Sequence, residues 1–240
     1  MSKDIKTPFG IITAEVSLFP IYYLLFIYGF VYIFPYGKDF IGVSWFDWLR
    51  SEDGPLEWLQ FFEYVFSSIL ALLIYIRQKK KKEVNSLIWL FISFLSLVIA
   101  GEEISWGERL TGIGITTISD LNVQGETNFH NLPFFHNFLL DPFFEISCIF
   151  LGWFGWRKFK NIDAFPAKEF SLYFLFVALF YFYFDISWAS TTEQIRNDQE
   201  IFEFLLSSGI FLHCLKNFSK TKFPRWIKNL WFLFSSNKYH

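Results

Sequence analysis

Long apolar runs alternate with shorter polar segments along the chain. The runs are close to the ~20 residues that a helix needs to cross the hydrocarbon core of a bilayer, except that the fourth and sixth are short or interrupted by charge. The pattern predicts six membrane-spanning helices, at residues 16–36, 56–76, 87–105, 138–156, 170–188 and 201–215. The first run ends in Phe34, Pro35 and Tyr36 without a small-residue cleavage site, so we interpret it as a retained anchor and not as a signal peptide.

Basic residues collect in alternate connections between these runs. Segments 77–82, 157–168 and 216–228 hold five, four and five of them, whereas the other connections hold Lys38, Arg50, Arg109 and Arg196. Cytoplasmic loops of membrane proteins carry the excess of Lys and Arg. We therefore predict that both termini are cytoplasmic, that the spans form three outward-pointing hairpins, and that the protein lies in a bacterial inner (plasma) membrane.

The same pattern predicts that residues 1–240 form a single polytopic, all-α membrane domain. Residues 107–138 form the longest outer connection and contain enough Phe, Leu and Ile to fold back as a re-entrant or interfacial loop. Residues 217–240 form a tail that we expect to be cytoplasmic or to lie in the inner interface.

Composition agrees with a membrane protein. Hydrophobic residues make up 53% of the chain, aromatic residues 23%, and the mean hydropathy is +0.31. The 21 basic and 23 acidic residues give a net charge of −2, which excludes the broad basic field of a nucleic-acid-binding protein. We expect membrane lipids as partners, and the sequence identifies no protein partner. Cys148 and Cys214 lie inside apolar runs, so we interpret them as packing residues.

The three predicted hairpin tips share a short pattern. Each has Ser-Trp at the end of the rising helix (44–45, 105–106, 187–188), then an arginine (Arg50, Arg109, Arg196), then a carboxylate early in the descending helix (Glu63, Glu145, Glu203). An internal repeat would explain the pattern, and sites in polytopic proteins often form where repeats meet. The alternative is chance recurrence, because Trp is common at membrane interfaces and Phe is frequent in this chain.

Carboxylates stand where the apolar runs meet the outer face. Glu102 and Glu103 directly follow the apolar segment 87–100, and Arg109 comes soon after. Ionised groups in lipid cost about 3 kcal/mol each on insertion scales, so they are kept for pairing or for chemistry. We predict Glu102 or Glu103 as a general acid, base or ligand and Arg109 as an anion clamp, with structural pairing as an equally open alternative. Charged residues expected to support this site are Glu57, Glu63, Glu145, Asp185, Arg196 and Glu203.

The outer loop contains candidate metal ligands. Glu126 and His130 are four residues apart and share a face if the segment is helical, and Pro133 would then turn His136 back toward them. Histidines with carboxylates suit zinc, iron or manganese, which convert a bound water into a nucleophile. We predict a divalent metal site at Glu126, His130 and His136, although the spacing matches no known metal motif. The alternative is that these side chains hydrogen-bond the loop.

Three segments resemble those of a group of uncharacterised bacterial multi-pass membrane proteins. They are 52–58 (EDGPLEW), 101–109 (GEEISWGER) and 122–131 (NVQGETNFHN). In that group a GEEISWGQR-like segment precedes an NxQGExNxHN-like one, so Glu108 stands where Gln is expected. The resemblance implies a multi-pass membrane fold and no particular activity. There is a weaker analogy to the alkaline ceramidase-like membrane hydrolases, whose paired C-terminal histidines this chain lacks.

These residues lead us to expect a membrane-embedded hydrolase or transferase, with or without a divalent metal, acting on a lipid or lipid-linked substrate at the outer leaflet. The competing interpretations are a non-catalytic transport component that binds a cation or relays protons, and a membrane scaffold. The apolar inner halves of the third and fifth spans favour the enzyme, because a path through the membrane needs polar residues.

Overall fold

The fold comes from a computed structural model that describes residues 6–7, 10–11, 14–33, 42–51, 53–122, 125–135, 139–186 and 198–220. Within these ranges the chain is helical apart from turns and one small antiparallel ladder. In this ladder strand β1 (Lys6–Thr7) pairs with strand β2 (Gly10–Ile11). The predicted all-α class is therefore confirmed for the described residues.

The helices of the first half are α1 (Ala14–Leu24, continued by the π-helix Leu25–Ile33), α2 (Val43–Leu49), α3 (Pro55–Lys80), α4 (Ser86–Glu103), α5 (Glu108–Thr111) and α6 (Thr116–Ser119). Those of the second half are α7 (Leu140–Ile149, continued by the π-helix Phe150–Gly155), α8 (Trp156–Lys158), α9 (Ser171–Ile186) and α10 (Gln199–Lys220). Single 3₁₀ turns at Ser105–Gly107 and Lys168–Phe170 follow α4 and precede α9.

Three of these helices, α3, α4 and α10, are long and apolar enough to cross a membrane. Helix α3 has 26 residues and is about 39 Å long, more than the ~30 Å of a hydrocarbon core. These helices coincide with the second, third and sixth predicted spans. The membrane class is thereby supported, whereas the count of six spans is not confirmed by helix length and composition in the described residues.

Helix α10 joins two pairs of helices. Helices α3 and α4 pack together, as do α7 and α9, and the members of each pair are linked by a lysine-containing connection. Helix α10 packs against both α3 and α9, and α1 packs against α9. Gly209 permits a close approach, because a Cβ added there would lie 2.8 Å from Cβ of Tyr173 on α9. The core of the protein therefore lies around α10.

The bundle places small and polar residues inside and large apolar residues outside. On α4 the buried positions include Ser93 and Ser96, whereas Phe91 and Phe94 are exposed. Ser93 donates a hydrogen bond from Oγ to the carbonyl oxygen of Ser68 on α3, at 2.9 Å. Small residues let membrane helices approach closely, and a continuous exposed face of Phe and Leu suits lipid better than water. This distribution supports a membrane location independently of helix length.

His213 secures the end of the bundle that carries the lysine-rich connections. Its ring stacks on Trp89, with centroids 5.3 Å apart. Nε2 donates to the carbonyl oxygen of Ala164 at 3.1 Å, and Nδ1 accepts from Nδ2 of Asn217 at 3.2 Å, because a carbonyl can only accept and an amide nitrogen can only donate. Both ring nitrogens are satisfied, so His213 has a packing role.

The Ser-Trp segments of the proposed repeat differ where they are described. Trp45 lies inside α2, whereas Ser105 and Trp106 lie in a turn with positive φ angles of 48° and 54°. The third segment, 187–188, lies outside the described residues. The internal repeat therefore stays a prediction.

Candidate functional site

The site begins with a turn of unusual backbone conformation at the end of α4. Ser105, Trp106 and Gly107 have consecutive positive φ angles of 48°, 54° and 94°. Such angles are uncommon for residues other than glycine and are maintained only where the surroundings enforce them. The turn folds the Trp106 ring back over α4, where a Cβ on Gly101 would lie 3.0 Å from it. The chain is thereby redirected so that residues 126–130 lie against the end of α4.

Glu102 attaches the outer loop to α4. Its carboxylate accepts hydrogen bonds from the backbone nitrogens of Phe129 and His130 at 2.7 and 2.9 Å. It also accepts from Nε1 of Trp106 at 2.5 Å and contacts Nδ1 of His130 at 3.1 Å. An ionised carboxylate is an acceptor only, which suits four donors around two oxygens. Glu102 is thus a binding partner of the loop as well as a candidate for chemistry.

This arrangement orients the imidazole of His130. Because the Glu102 carboxylate accepts, Nδ1 is the ring nitrogen that carries the proton in the neutral tautomer, and Nε2 is then the nitrogen with the lone pair. Among the described residues nothing hydrogen-bonds Nε2, and the side chain is 35% exposed. A fixed imidazole whose Nε2 has no hydrogen-bond partner among the described residues can act as a general base in its neutral form.

Arg109 lies at the centre of three carboxylates. Nη1 is 2.5 Å from Oε1 of Glu57, Nη2 is 3.2 Å from Oε2 of Glu126, and Nε is 3.0 Å from Oδ1 of Asp53. Burial would lower the pKa of Arg109, but its hydrogen bond to Glu57 and the surrounding negative charges outweigh that effect and raise it above its usual value. An anion bound by Arg109, as predicted for a clamp, would have to displace one of these carboxylates.

Glu126 joins segment 122–131 to segment 101–109. It accepts from Oγ of Ser105 and from Nδ2 of Asn128, both at 2.8 Å, as well as from Arg109. Asn128 is in turn held by Nδ2 of Asn122, which donates to its Oδ1 at 2.7 Å. Glu126 therefore faces Arg109 and Ser105, whereas the His130 ring contacts Glu102.

Glu108, where a Gln was expected, also binds the loop backbone. Its Oε2 accepts from the backbone nitrogen of Thr127 at 2.6 Å, and Oγ1 of Thr127 accepts from the nitrogen of Ile115 at 2.7 Å. A Cβ on Gly114 would lie 2.3 Å from Oε1 of Glu108, so a larger residue there would displace this side chain. Two glutamates of segment 101–109, Glu102 and Glu108, thus bind the backbone of segment 122–131.

The predicted metal ligands are only partly placed by the structure. Glu126 and His130 bond to different groups, and His136 lies outside the described residues. In the part of the chain that is described, no group of three or more His, Cys, Asp or Glu side chains is arranged to hold a metal ion. The divalent metal site stays a prediction.

A second group of carboxylates lies deeper in the bundle. Glu63 accepts from the hydroxyls of Ser207 and Ser208 at 2.6 and 2.9 Å. Glu203 accepts from Oη of Tyr181 at 2.6 Å and from Nε2 of Gln199 at 2.8 Å. Of the other predicted supporting residues, Glu145 is half-buried on α7, whereas the side chain of Asp185 and the whole of Arg196 lie outside the described part.

Asp198, Gln60 and Glu200 are polar residues of the interior that were not predicted as site residues. Asp198 accepts from Nη1 of Arg50 at 2.5 Å and from Oη of Tyr28 at 3.1 Å, which joins three distant segments. Nε2 of Gln60 donates to Oε2 of Glu200 at 2.8 Å. Gln60 lies three residues after Glu57 and three before Glu63, and this spacing on one helical face was the available signal for it.

Comparisons with protein-family profiles, with curated proteins and with solved structures find no significant match to this chain. The interpretation of the site therefore depends on its geometry.

Replacing Arg109 by Gln is expected to lower the free energy of unfolding by about 3–5 kcal/mol, because Glu57 and Glu126 would be left as uncompensated, largely buried charges. The measurement is unfolding by sodium dodecyl sulfate in mixed micelles. Adding Glu57→Gln should recover part of the loss. Lys81→Gln, at an exposed position, is the control and should change stability by less than about 0.5 kcal/mol. Equal stability of Arg109→Gln and Lys81→Gln would contradict the assigned role.

Proposed function

We propose that the protein is a membrane-embedded enzyme acting on a lipid or lipid-linked substrate at the outer leaflet, with His130 as its general base. The observation that carries this proposal is the 3.1 Å contact between Nδ1 of His130 and Oε2 of Glu102, which leaves Nε2 open. Many hydrolases activate a nucleophile with an imidazole that a carboxylate orients through Nδ1. Glu102 is the positioning residue in this scheme.

The proton balance of such a reaction is simple. Nε2 takes the proton of a water molecule or an acceptor hydroxyl group while the oxygen of that group attacks the substrate. The imidazolium that forms is stabilised by Glu102 and returns the proton to the leaving group. Attack by water gives a hydrolase, and attack by a hydroxyl group gives a transferase. In a metal-dependent form, zinc, iron or manganese would bind Nε2, the ring nitrogen that Glu102 leaves available.

Apolar side chains of the outer loop support a lipid substrate. Leu110, Ile113 and Leu121 are exposed, and so is Phe129, directly beside His130. Exposed apolar side chains at this density suit a membrane interface better than water. We therefore place loop 107–138 in the outer interface, where a substrate reaches His130 laterally from the leaflet.

The proposal includes the full topology of six spans in three outward-pointing hairpins. Residues 14–33 and 140–158 are helical without a break, and α9 is a further apolar helix of 16 residues, which supports spans beyond α3, α4 and α10. The lysine-rich connections and both termini then face the cytoplasm of a bacterial inner membrane. The Glu102 end of α4, where His130 lies, faces outward.

The orientation is tested by cysteine labelling in intact cells, since both native cysteines are buried. Asp120→Cys, in the exposed outer loop, should react with a membrane-impermeant maleimide without permeabilisation. Lys81→Cys, in the connection between α3 and α4, should react only after permeabilisation. The opposite accessibility of the two positions would refute the topology.

Activity is tested with purified protein in liposomes of total bacterial membrane lipid, with the products identified by mass spectrometry. His130→Ala is expected to slow lipid conversion by about 10²–10⁴-fold, because the general base is lost. Glu102→Gln should also slow it, since an amide can donate to Nδ1 and so favour the wrong tautomer. Glu83→Gln, exposed near the lysine-rich connection, is the control. Conversion that is independent of His130, or no conversion of any lipid, would contradict the proposal. Elemental analysis of the same samples distinguishes the metal-dependent form.

A further inference from the structure

An arginine lies against two tryptophans where α7 and its continuation reach the lysine-containing connection to α9. The guanidinium carbon of Arg157 is 3.6 Å from the centroid of the Trp153 ring and 3.9 Å from that of the Trp156 ring. Its Nη1 donates to the carbonyl oxygen of Trp153 at 2.6 Å, whereas Nε and Nη2 make no hydrogen bond with any described residue. Stacking engages the plane of a guanidinium and leaves its N–H edges for an anion. Arg157 is therefore held in place with donors available.

The Trp156 ring is itself fixed by a carbonyl group. Its Nε1 donates to the carbonyl oxygen of Gly152 at 3.0 Å, and Oγ of Ser171, the first residue of α9, donates to the same oxygen. A Cβ added to Gly152 would lie 2.9 Å from Cγ of Leu175, so the two helices approach closely here. The aromatic support of Arg157 is thus part of the packing between these helices.

A second cation lies against the same indole. Nζ of Lys168 is 5.5 Å from the centroid of the Trp156 ring. Lys158 and Lys160 are exposed in the same connection. Within the part of the chain that is described, none of these three lysines makes an ion pair, and neither does Arg157.

The two acidic residues of this connection are bound to other partners. Asp163 accepts from Nε2 of Gln78 at 2.8 Å and from Nε1 of Trp89 at 3.3 Å. Glu169 forms an ion pair with Lys216 of α10. Neither carboxylate neutralises the cations beside the tryptophans, so an excess of positive charge remains there.

Apolar side chains continue from this charge along the helix. Trp153 and Phe154, directly before Trp156 and Arg157, are 48% and 44% exposed. Tryptophan prefers the boundary between hydrocarbon and headgroups, and arginine extends its charge toward the headgroups while its stem stays on apolar surface. A free phosphate ion would meet the cations but leave these apolar side chains uncovered. A phospholipid, with an anionic headgroup and apolar chains, matches both parts.

We propose that Arg157 and Lys168, with Trp153 and Trp156, bind the headgroup of an anionic phospholipid whose acyl chains lie along Trp153 and Phe154. The lipid phosphate accepts from the available N–H groups of Arg157, and Lys168 adds electrostatic attraction. In the proposed topology this lipid belongs to the cytoplasmic leaflet, on the side opposite to His130. The site is separate from the Glu102–His130 pair and does not require that pair to be catalytic.

The test is native mass spectrometry of the detergent-solubilised full chain, titrated with phosphatidylglycerol or with phosphatidylethanolamine of the same acyl chains. The wild type is expected to retain phosphatidylglycerol at the lower lipid concentration. Arg157→Gln should weaken this binding by about 10–100-fold, because hydrogen bonds to the phosphate are lost. Lys81→Gln removes the same charge from the other lysine-containing connection and should weaken it by about 5-fold at most.

His130→Ala should bind phosphatidylglycerol like the wild type, so failure of the enzyme proposal and failure of this one are distinguishable. Two results would overturn the proposal. One is equal retention of the two lipids by the wild type, and the other is an equal loss of binding in Arg157→Gln and Lys81→Gln.

A second measurement uses the wild type alone and covers the case in which a substituted protein does not fold. Phosphatidylglycerol that carries a photoreactive group on its headgroup is cross-linked to the protein in liposomes, and mass spectrometry identifies the modified residues. Modification within 153–168 that excess phosphatidylglycerol prevents and glycerol phosphate does not prevent supports a lipid site. Modification confined to other segments, or equal competition by glycerol phosphate, refutes it.

Discussion

The end of the bundle at which α3 begins and α4 ends depends on the ion pairs of one arginine. Arg109 connects the start of α3, through Asp53 and Glu57, to the loop residue Glu126, and the backbone turn at Ser105–Gly107 brings it there. A guanidinium suits this position because its planar fork serves several carboxylates at once. Without this charge the carboxylates of segments 52–58 and 122–131 would repel each other.

The two adjacent glutamates at the end of α4, Glu102 and Glu103, have different surroundings. Glu102 and Glu108 hold the loop backbone, which fixes the ring of His130 with Nε2 open. Glu103, on another face of α4, makes no hydrogen bond or ion pair with the described residues. Two adjacent glutamates thus differ in their contacts, because a helix directs neighbouring side chains to different sides.

Helices were predictable because lipid imposes a simple length and a simple pattern. Runs of apolar residues indicated α3, α4 and α10, and the cost of charge in lipid drew attention to Glu102, Glu103 and Arg109. The partners of these charged residues were harder to predict from the sequence. Glu102 binds backbone nitrogens, which leave no mark in a sequence, and the left-handed turn at Ser105 and Trp106 is not signalled by residue type. Asp198 and Gln60 pair with residues more than a hundred positions away, so spacing alone could not identify their partners.

The orientation of His130 is the central claim, and the tautomer of its ring tests it most directly. Nitrogen NMR of the protein labelled in its four histidines, with His130→Ala used to assign the signal, reports which ring nitrogen carries the proton. The structure predicts that the neutral tautomer carries its proton on Nδ1, held by Glu102, with a bare Nε2. A proton on Nε2, or a rapid exchange between both tautomers, would contradict the account.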